Sequence, residues 1–147
     1  MQNSKIIIYT DGGSRGNPGE AAIGVAIEDA KGHKLHGYGE RIGVKTNNEA
    51  EYEAVIFALK KVKQIFGKDK TKQMGIEMRM DSQLVARQLN GEYRIEEEHL
   101  FPFFIKIWNL KFDFGKIIFK HIPREKNKEA DRLLNRALDQ NEQGRLL

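Results

Sequence analysis

Four short segments each spend a carboxylate where an apolar strand or helix face would not ordinarily hold one. They are Asp11 in YTDGGSRGNPG, Glu51 in TNNEAEYEAVIFAL, Asp81 in MRMDSQLV and Asp131 in REKNKEADRLLNRAL. Acids gathered in one place repel each other. At about 4 Å and an effective dielectric of about 20, each like-charge pair costs roughly 4 kcal/mol. A hard divalent cation removes that cost, and two cations held by carboxylates are a general way to cut a phosphodiester. Cysteine is absent, so a thiolate metal site is excluded.

Each acid has a competing structural reading. Asp11 precedes Gly12-Gly13, and Asp-Gly is a common turn pair. Glu51 continues the spacing of Val55, Ala58 and Val62, which carries it along the buried side of a helix. Otherwise it is a solvated glutamate, as Glu49 and Glu53 are expected to be. Asp81 stands between an apolar strand and a helix, where an N-cap aspartate is common. Asp131 lies three residues before Leu134 and seven before Leu138, on the edge of an apolar stripe. It could equally be a first-turn acid favoured by the helix dipole. Two acids at the carboxyl ends of neighbouring strands, with two more on helices packed against that sheet, would converge on one site.

The elements that must do this can be read from periodicity. Strands are expected over 5–10, 21–29, 33–42, 75–80 and 116–122, with a glycine- and proline-punctuated loop over 12–19. Helices are expected over 46–66, 82–90, 97–111 and 127–139. The third of these should bury Phe101, Phe104, Ile105 and Trp108. The last should bury Ala130, Leu133, Leu134, Ala137 and Leu138. The order βββαβααβα predicts an α/β domain with a mixed sheet, because a hairpin section joins strands that need helical crossovers.

Composition sets the outer bounds. A chain of 147 residues suggests one domain, 1–147, with enough length for a real core. The lack of cysteine suits a reducing cytosol. There is no signal-peptide layout and no apolar run of membrane-spanning length, so a cytoplasmic protein without a membrane partner is expected. The formal charge of +4 permits a polyanionic partner without specifying one.

Taken together, TDGGSRGNPG, TNNEAEYEA, DSQLV and NKEAD resemble the motifs of type 1 ribonucleases H, in the family's order and spacing and over nearly the whole chain. The resemblance implies a ribonuclease H-like fold with a five-stranded mixed sheet flanked by helices. It implies a monomeric endonuclease that hydrolyses the RNA strand of an RNA–DNA hybrid with two Mg²⁺ or Mn²⁺ ions. The family's metal-binding acids carry over onto Asp11, Glu51, Asp81 and Asp131. Asp11 would be the bridging ligand, Glu51 and Asp81 would lie toward the leaving group, and Asp131 toward the nucleophile. Substrate contacts carry over onto Asn17, Thr46, Asn47, Asn48 and Gln83. Amides offer both a donor and an acceptor to a minor groove where the 2′-OH is exposed. Gly12, Gly13 and Ser14 would let the backbone approach a ribose or phosphate, although a tight loop needs the same glycines. Asn47 and Asn48 could also be helix caps.

The chain departs from the family pattern in two places. Many members carry a basic, Trp-containing protrusion where this chain has the short, acidic NGEYRIEEEHLF. Many also carry a glycine-rich loop with a mobile histidine before the last acid, where this chain has HIPREKNKEAD. Alternation through Ile117, Phe119 and His121 places His121 in a strand, so Arg124 is the rival for phosphate or leaving-group assistance. Two other classes remain: a nuclease of the same fold with another duplex preference, such as DNA or double-stranded RNA, and a silent nucleic-acid binder. The asparagine pair and Gln83 favour a hybrid over DNA. Retention of all four acids disfavours a pure binder, which would gain affinity for phosphates by losing them.

Overall fold

In a computed structural model, residues 4–146 are described, with side chains through residue 140. Residues 1–3 and 147 of the expected 1–147 domain lie outside the described residues. The elements are β1 (Lys5–Gly16), β2 (Gly19–Asp29), β3 (Lys34–Lys45), α1 (Asn47–Phe66), the single turn α2 (Lys68–Thr71), β4 (Gly75–Met80), α3 (Gln83–Leu89), α4 (Phe101–Lys111), β5 (Lys116–His121) and α5 (Lys128–Leu146). Short 3₁₀ turns precede α4 at Glu98–Leu100 and α5 at Arg124–Lys126. The five strands form one sheet in the order β3-β2-β1-β4-β5. β1–β2 and β2–β3 pair antiparallel, while β1–β4 and β4–β5 pair parallel. The sheet is thus mixed, as its connections require.

Alternation along β2 divides the molecule into layers. Ile23, Val25 and Ile27 join the large core with Ile6 and Ile8 of β1, Val55, Leu59 and Val62 of α1, and Val85 of α3. Ala22 points the other way and packs with Leu134, Ala137 and Leu138 of α5. By the same parity, Asp11 falls on the opposite face of β1 from Ile6 and Ile8.

The segment expected as a loop over 12–19 is largely strand. β1 runs on past Asp11, pairing Gly12–Ile23 through Gly16–Gly19, so the chain reverses only at Asn17 and Pro18. Asp11 does mark the end of the parallel ladder. The last β1–β4 pair is Thr10–Met80, which leaves Asp11 and Asp81 side by side, each one residue beyond it.

The buried side of α4 also differs from expectation. Phe101, Ile105 and Trp108 are 42%, 56% and 51% exposed. The helix instead buries Ile107 and packs with Phe103, Phe104 and Leu110 against the core. FPFFIKIWNL is apolar nearly all round, so periodicity offers two stripes with Phe104 near their boundary. Tertiary packing chose the other one.

Two glycines allow the helices to come down onto the sheet. A Cβ at Gly12 would lie 2.2 Å from the carbonyl carbon of Ala50 and 2.5 Å from the Glu51 nitrogen. One at Gly24 would lie 1.9 Å from the Ala130 carbonyl oxygen. The first crossing brings α1 to β1 one residue from Glu51. The second brings α5 to β2 one residue from Asp131, opposite Asp11 in the ladder. Gly24→Ala should cost about 1–3 kcal/mol, as overpacking does. Gly75→Ala, whose Cβ would meet nothing nearer than 3.9 Å, should stay within about 0.5 kcal/mol of the parent. Urea denaturation of the two variants checks this, and equal losses would show that the crossing is not tight.

Candidate active site

Asp11, Glu51 and Asp81 converge so that one carboxylate oxygen from each lies within 4.8 Å of the others. Asp11 comes from mid-β1, Glu51 from the first turn and a half of α1, and Asp81 from the residue after β4. Asp131, on the first turn of α5, stands outside that group of three but lines the same cleft. The cleft is open, about 460 Å³, and also takes in Gly12, Gly13, Ser14, Asn47, Asn48 and Arg124.

The local chemistry leaves the carboxylates uncommitted to ordinary structural tasks. Ser82, not Asp81, caps α3, with its hydroxyl accepting from the Val85 N–H at 3.2 Å. Thr46 caps α1 in a reciprocal box: its Oγ1 accepts from the Glu49 N–H while the Glu49 carboxylate accepts from the Thr46 N–H. Asn47 and Asn48 are therefore the first helical residues and not caps.

Burial and mutual repulsion shape the acids' titration. Asp11 is pushed up to about 7, first by burial and then by the charge of Asp81. Burial, followed by the charges of Asp11 and Asp81, pushes Glu51 well above the usual carboxylate range. The Glu51 Oε2 atom is buried with no hydrogen-bond partner. A buried carboxyl oxygen left without a partner beside two further carboxylates suits a hard divalent cation, which prefers oxygen ligands. The donor set therefore fits Mg²⁺ or Mn²⁺.

The other expected site residues separate into two sets. Gly12, Gly13, Ser14, Asn47, Asn48 and Arg124 line the cleft; Asn17, Thr46 and Gln83 do not. Asn17 works one step back, its Oδ1 accepting from the Asn47 N–H at 3.0 Å. Asn47 Oδ1 in turn accepts from the Ser14 N–H at 2.9 Å and from the Ser14 hydroxyl at 3.1 Å. This network fastens the β1–β2 hairpin to the start of α1. His121 ends β5, paired with Met80, and is not among the cleft-lining residues.

Sequence reading missed Arg15, Ser82 and Asn135 in the cleft wall, and Asn127 beneath it. Asn135 Nδ2 donates to Asp131 Oδ1 at 3.1 Å and to the Asp131 carbonyl at 2.9 Å. Its four-residue spacing from Asp131 was the available signal.

A pH dependence follows. The folded chain holds a proton on Asp11 that the unfolded chain has released, between the ordinary value of 3.8 and about 7. The unfolded state binds fewer protons in that window, so metal-free stability from this group falls as pH rises through it. A bound cation favours the ionised acids and competes with protons. The rise in melting temperature produced by Mn²⁺ should therefore be larger near about pH 8 than near about pH 5. Thermal unfolding with and without metal measures it, and a rise that shrinks with pH would contradict the assignment.

The chain can now be set beside known proteins. A family model described as Reverse transcriptase-like matches residues 9–137. Ribonuclease HI of Halobacterium salinarum is 39% identical over 138 residues, covering 94% of this chain and 66% of that protein. A bifunctional protein of Mycobacterium tuberculosis is 33% identical over 136 residues, covering 92% of this chain and 36% of the relative. The chain thus spans about two thirds of the first relative's length and about a third of the second's. Among solved structures, LC11-RNase H1, isolated from compost by a metagenomic approach, superposes with a TM-score of 0.87 at 50% identity, covering 93% of this chain and 97% of that one. A second structure of LC11-RNase H1, in complex with RNA/DNA hybrid, gives the same TM-score and identity over 92% and 98% of the two chains. With the family model matching residues 9–137 and the five-stranded mixed sheet that the motifs implied, the chain belongs to the Reverse transcriptase-like family and stands within it among the type 1 ribonucleases H.

Proposed function

We propose that this chain hydrolyses the RNA strand of RNA–DNA hybrids in a reaction that depends on divalent metal. The observation that carries the reading is the group formed by Asp11, Glu51 and Asp81 at the base of a polar cleft, with ligand atoms within 4.8 Å of one another. The relatives supply the substrate class, since LC11-RNase H1 is known in complex with RNA/DNA hybrid. Asp11, Glu51 and Asp81, joined by Asp131, are the residues that would hold two ions. When bound, these would supply Lewis-acid activation of water and charge stabilisation at the phosphate.

The remaining residues bind and orient. Ser14, Asn47 and Asn48 put hydroxyl and amide groups beside the acids, suited to ribose hydroxyls and base edges. The Asn17–Asn47 bond fixes that edge, so Asn17 positions a neighbour. Water adds to phosphorus, the P–O3′ bond breaks, and the products carry a 5′-phosphate and a 3′-hydroxyl. Arg124 is permanently charged and exposed on the cleft's rim, and a guanidinium there donates to phosphate oxygens. The proton that the departing oxygen takes up is assigned to solvent.

A cleavage assay on matched RNA–DNA, RNA–RNA and DNA–DNA duplexes tests the reading. The RNA strand of the hybrid should be cut with Mg²⁺ or Mn²⁺ and left intact in chelator; full activity in chelator defeats the proposal. Asp81→Asn should lose more than the roughly 100-fold expected for an outer-shell partner. It should melt at or above the parent temperature without metal, because one repelling charge is gone. Near-parental turnover would remove Asp81 from the site.

The helper assignment has its own test. Arg124→Ala gives up a charge-assisted bond worth about 1.5–3 kcal/mol, or roughly 10–100-fold in rate. His121→Ala should stay within about twofold, well short of the 10²–10⁴-fold of a proton-transfer group. Single-turnover rates on the hybrid decide it, and the reverse ranking would restore His121.

A further inference from the structure

One buried amide reaches three of the four acids' positions and belongs to none of the assignments above. Asn127 lies between the 3₁₀ turn at Arg124–Lys126 and α5, and is 1% exposed. Its Nδ2 donates to the Thr10 carbonyl at 2.8 Å and to Asp81 Oδ2 at 3.1 Å. Thr10 immediately precedes Asp11. The Asn127 N–H donates to the Arg124 carbonyl at 2.9 Å, and its carbonyl accepts from the Asp131 N–H at 3.2 Å. The end of the β1–β4 ladder, the Asp81 carboxylate, the start of α5 and the Arg124 turn therefore all meet on this residue.

The chemistry of the amide fixes its orientation. Both of its side-chain partners are acceptors, so only the NH₂ end can face them, and its two N–H groups are both used. Among the described residues it is the only donor to the Asp81 carboxylate. Accepting from it at Oδ2 fixes the plane of that carboxylate and leaves Oδ1 as the freer oxygen. Burial adds weight, since removing the donor would strand the buried Thr10 carbonyl and release the half-buried Asp81 carboxylate.

We propose that Asn127 is a positioning residue for metal binding. It presets the Asp81 carboxylate against Asp11, and without it the cluster must order Asp81 as the cation enters. The inference rests on the reading of the cleft as a metal site and adds a residue that touches neither substrate nor cation. Outer-shell donors of this kind typically govern metal affinity or activity by about 10–100-fold.

The test is calorimetric titration of Mn²⁺ into the free protein, for the parent, Asn127→Ala and the near-isosteric Asn127→Leu. Melting in chelator is measured alongside, and whichever variant melts cooperatively decides. The expected result is Mn²⁺ affinity weakened about 10-fold or more. The turnover number should fall likewise, while KM for the hybrid and hybrid affinity in chelator stay within twofold. A residue that serves only the fold would lower the melting temperature and leave Mn²⁺ affinity within twofold of the parent, and that result overturns the proposal. A loss seen in KM alone also overturns it, because it would place Asn127 on the substrate path. If the parent itself takes up no Mn²⁺, the metal-site reading and this inference fall together. If the parent binds and the variants match it, only this inference falls.

Discussion

The constraint on which the rest of the structure depends is the crowding of negative charge at the end of the parallel β1–β4 ladder. Three carboxylates within 4.8 Å, two of them buried, are an arrangement that folding opposes. Burial and repulsion lift Asp11 to about 7 and Glu51 well above its usual range, so the fold bears part of the cost by keeping protons on them. Stability for this must come from elsewhere in the molecule. The main core supplies it through Ile23, Val25 and Ile27 against α1, and Ile8, Met78 and Met80 beneath the site, all fully buried. An acid cluster at the rim of so dense a core stays put because relaxation would open apolar packing.

Backbone geometry does the convergent work. Register puts Asp11 and Asp81 next to each other, because Thr10 and Met80 are the last parallel partners. Glu51 and Asp131 arrive on helices, and their approach is limited by what the sheet presents beneath them. Gly12 under Ala50, Gly24 under Ala130 and Gly39 under Leu133 are places where any side chain would hold a helix away. These positions are structural in mechanism and functional in consequence, because Glu51 and Asp131 ride on the helices that they admit.

Much of this was legible in the sequence, and the misreadings have physical causes. The four acids, the mixed character of the sheet and the helices that carry two of those acids follow from motif and period. The length of β1 did not. Glycines and a proline look like a loop, yet Gly12 through Gly16 remain paired because β2 supplies a full antiparallel partner. The stripe of α4 was inverted because a helix apolar on most sides has no single moment to follow, and only the core chooses a face. Asp81 competed with Ser82 for the cap, and two adjacent candidates cannot be ranked without the helix's start. Asn127 was legible only as the first residue of NKEAD and of the last helix, with nothing to mark its partners. Its role rests on Thr10 and Asp81, which are 117 and 46 residues away in the chain.

Grip and chemistry are separated in this molecule. Where relatives of this family commonly carry a basic protrusion, the segment between α3 and α4 carries Glu92, Glu96, Glu97 and Glu98. It is fastened to the body through Gln88 of α3, whose Nε2 donates to the Arg94 carbonyl at 3.4 Å while its Oε1 accepts from the Tyr52 hydroxyl at 2.7 Å, and through His99, whose Nδ1 lies 3.2 Å from the Glu49 carboxylate at the start of α1. An acidic strap beside the start of α1 would repel a phosphate-bearing partner. Long-range attraction must therefore come from dispersed lysines and arginines elsewhere on a chain of net charge +4. Binding built that way is dominated by counterion release and weakens steeply with salt, by a log–log slope of about −0.9 for each phosphate neutralised on a B-form-like duplex. A cation held by the acids in this part-buried site would be screened far less. Salt should therefore act on hybrid affinity and leave the chemical step of the bound complex nearly unchanged, a division that follows from where this chain puts its charges.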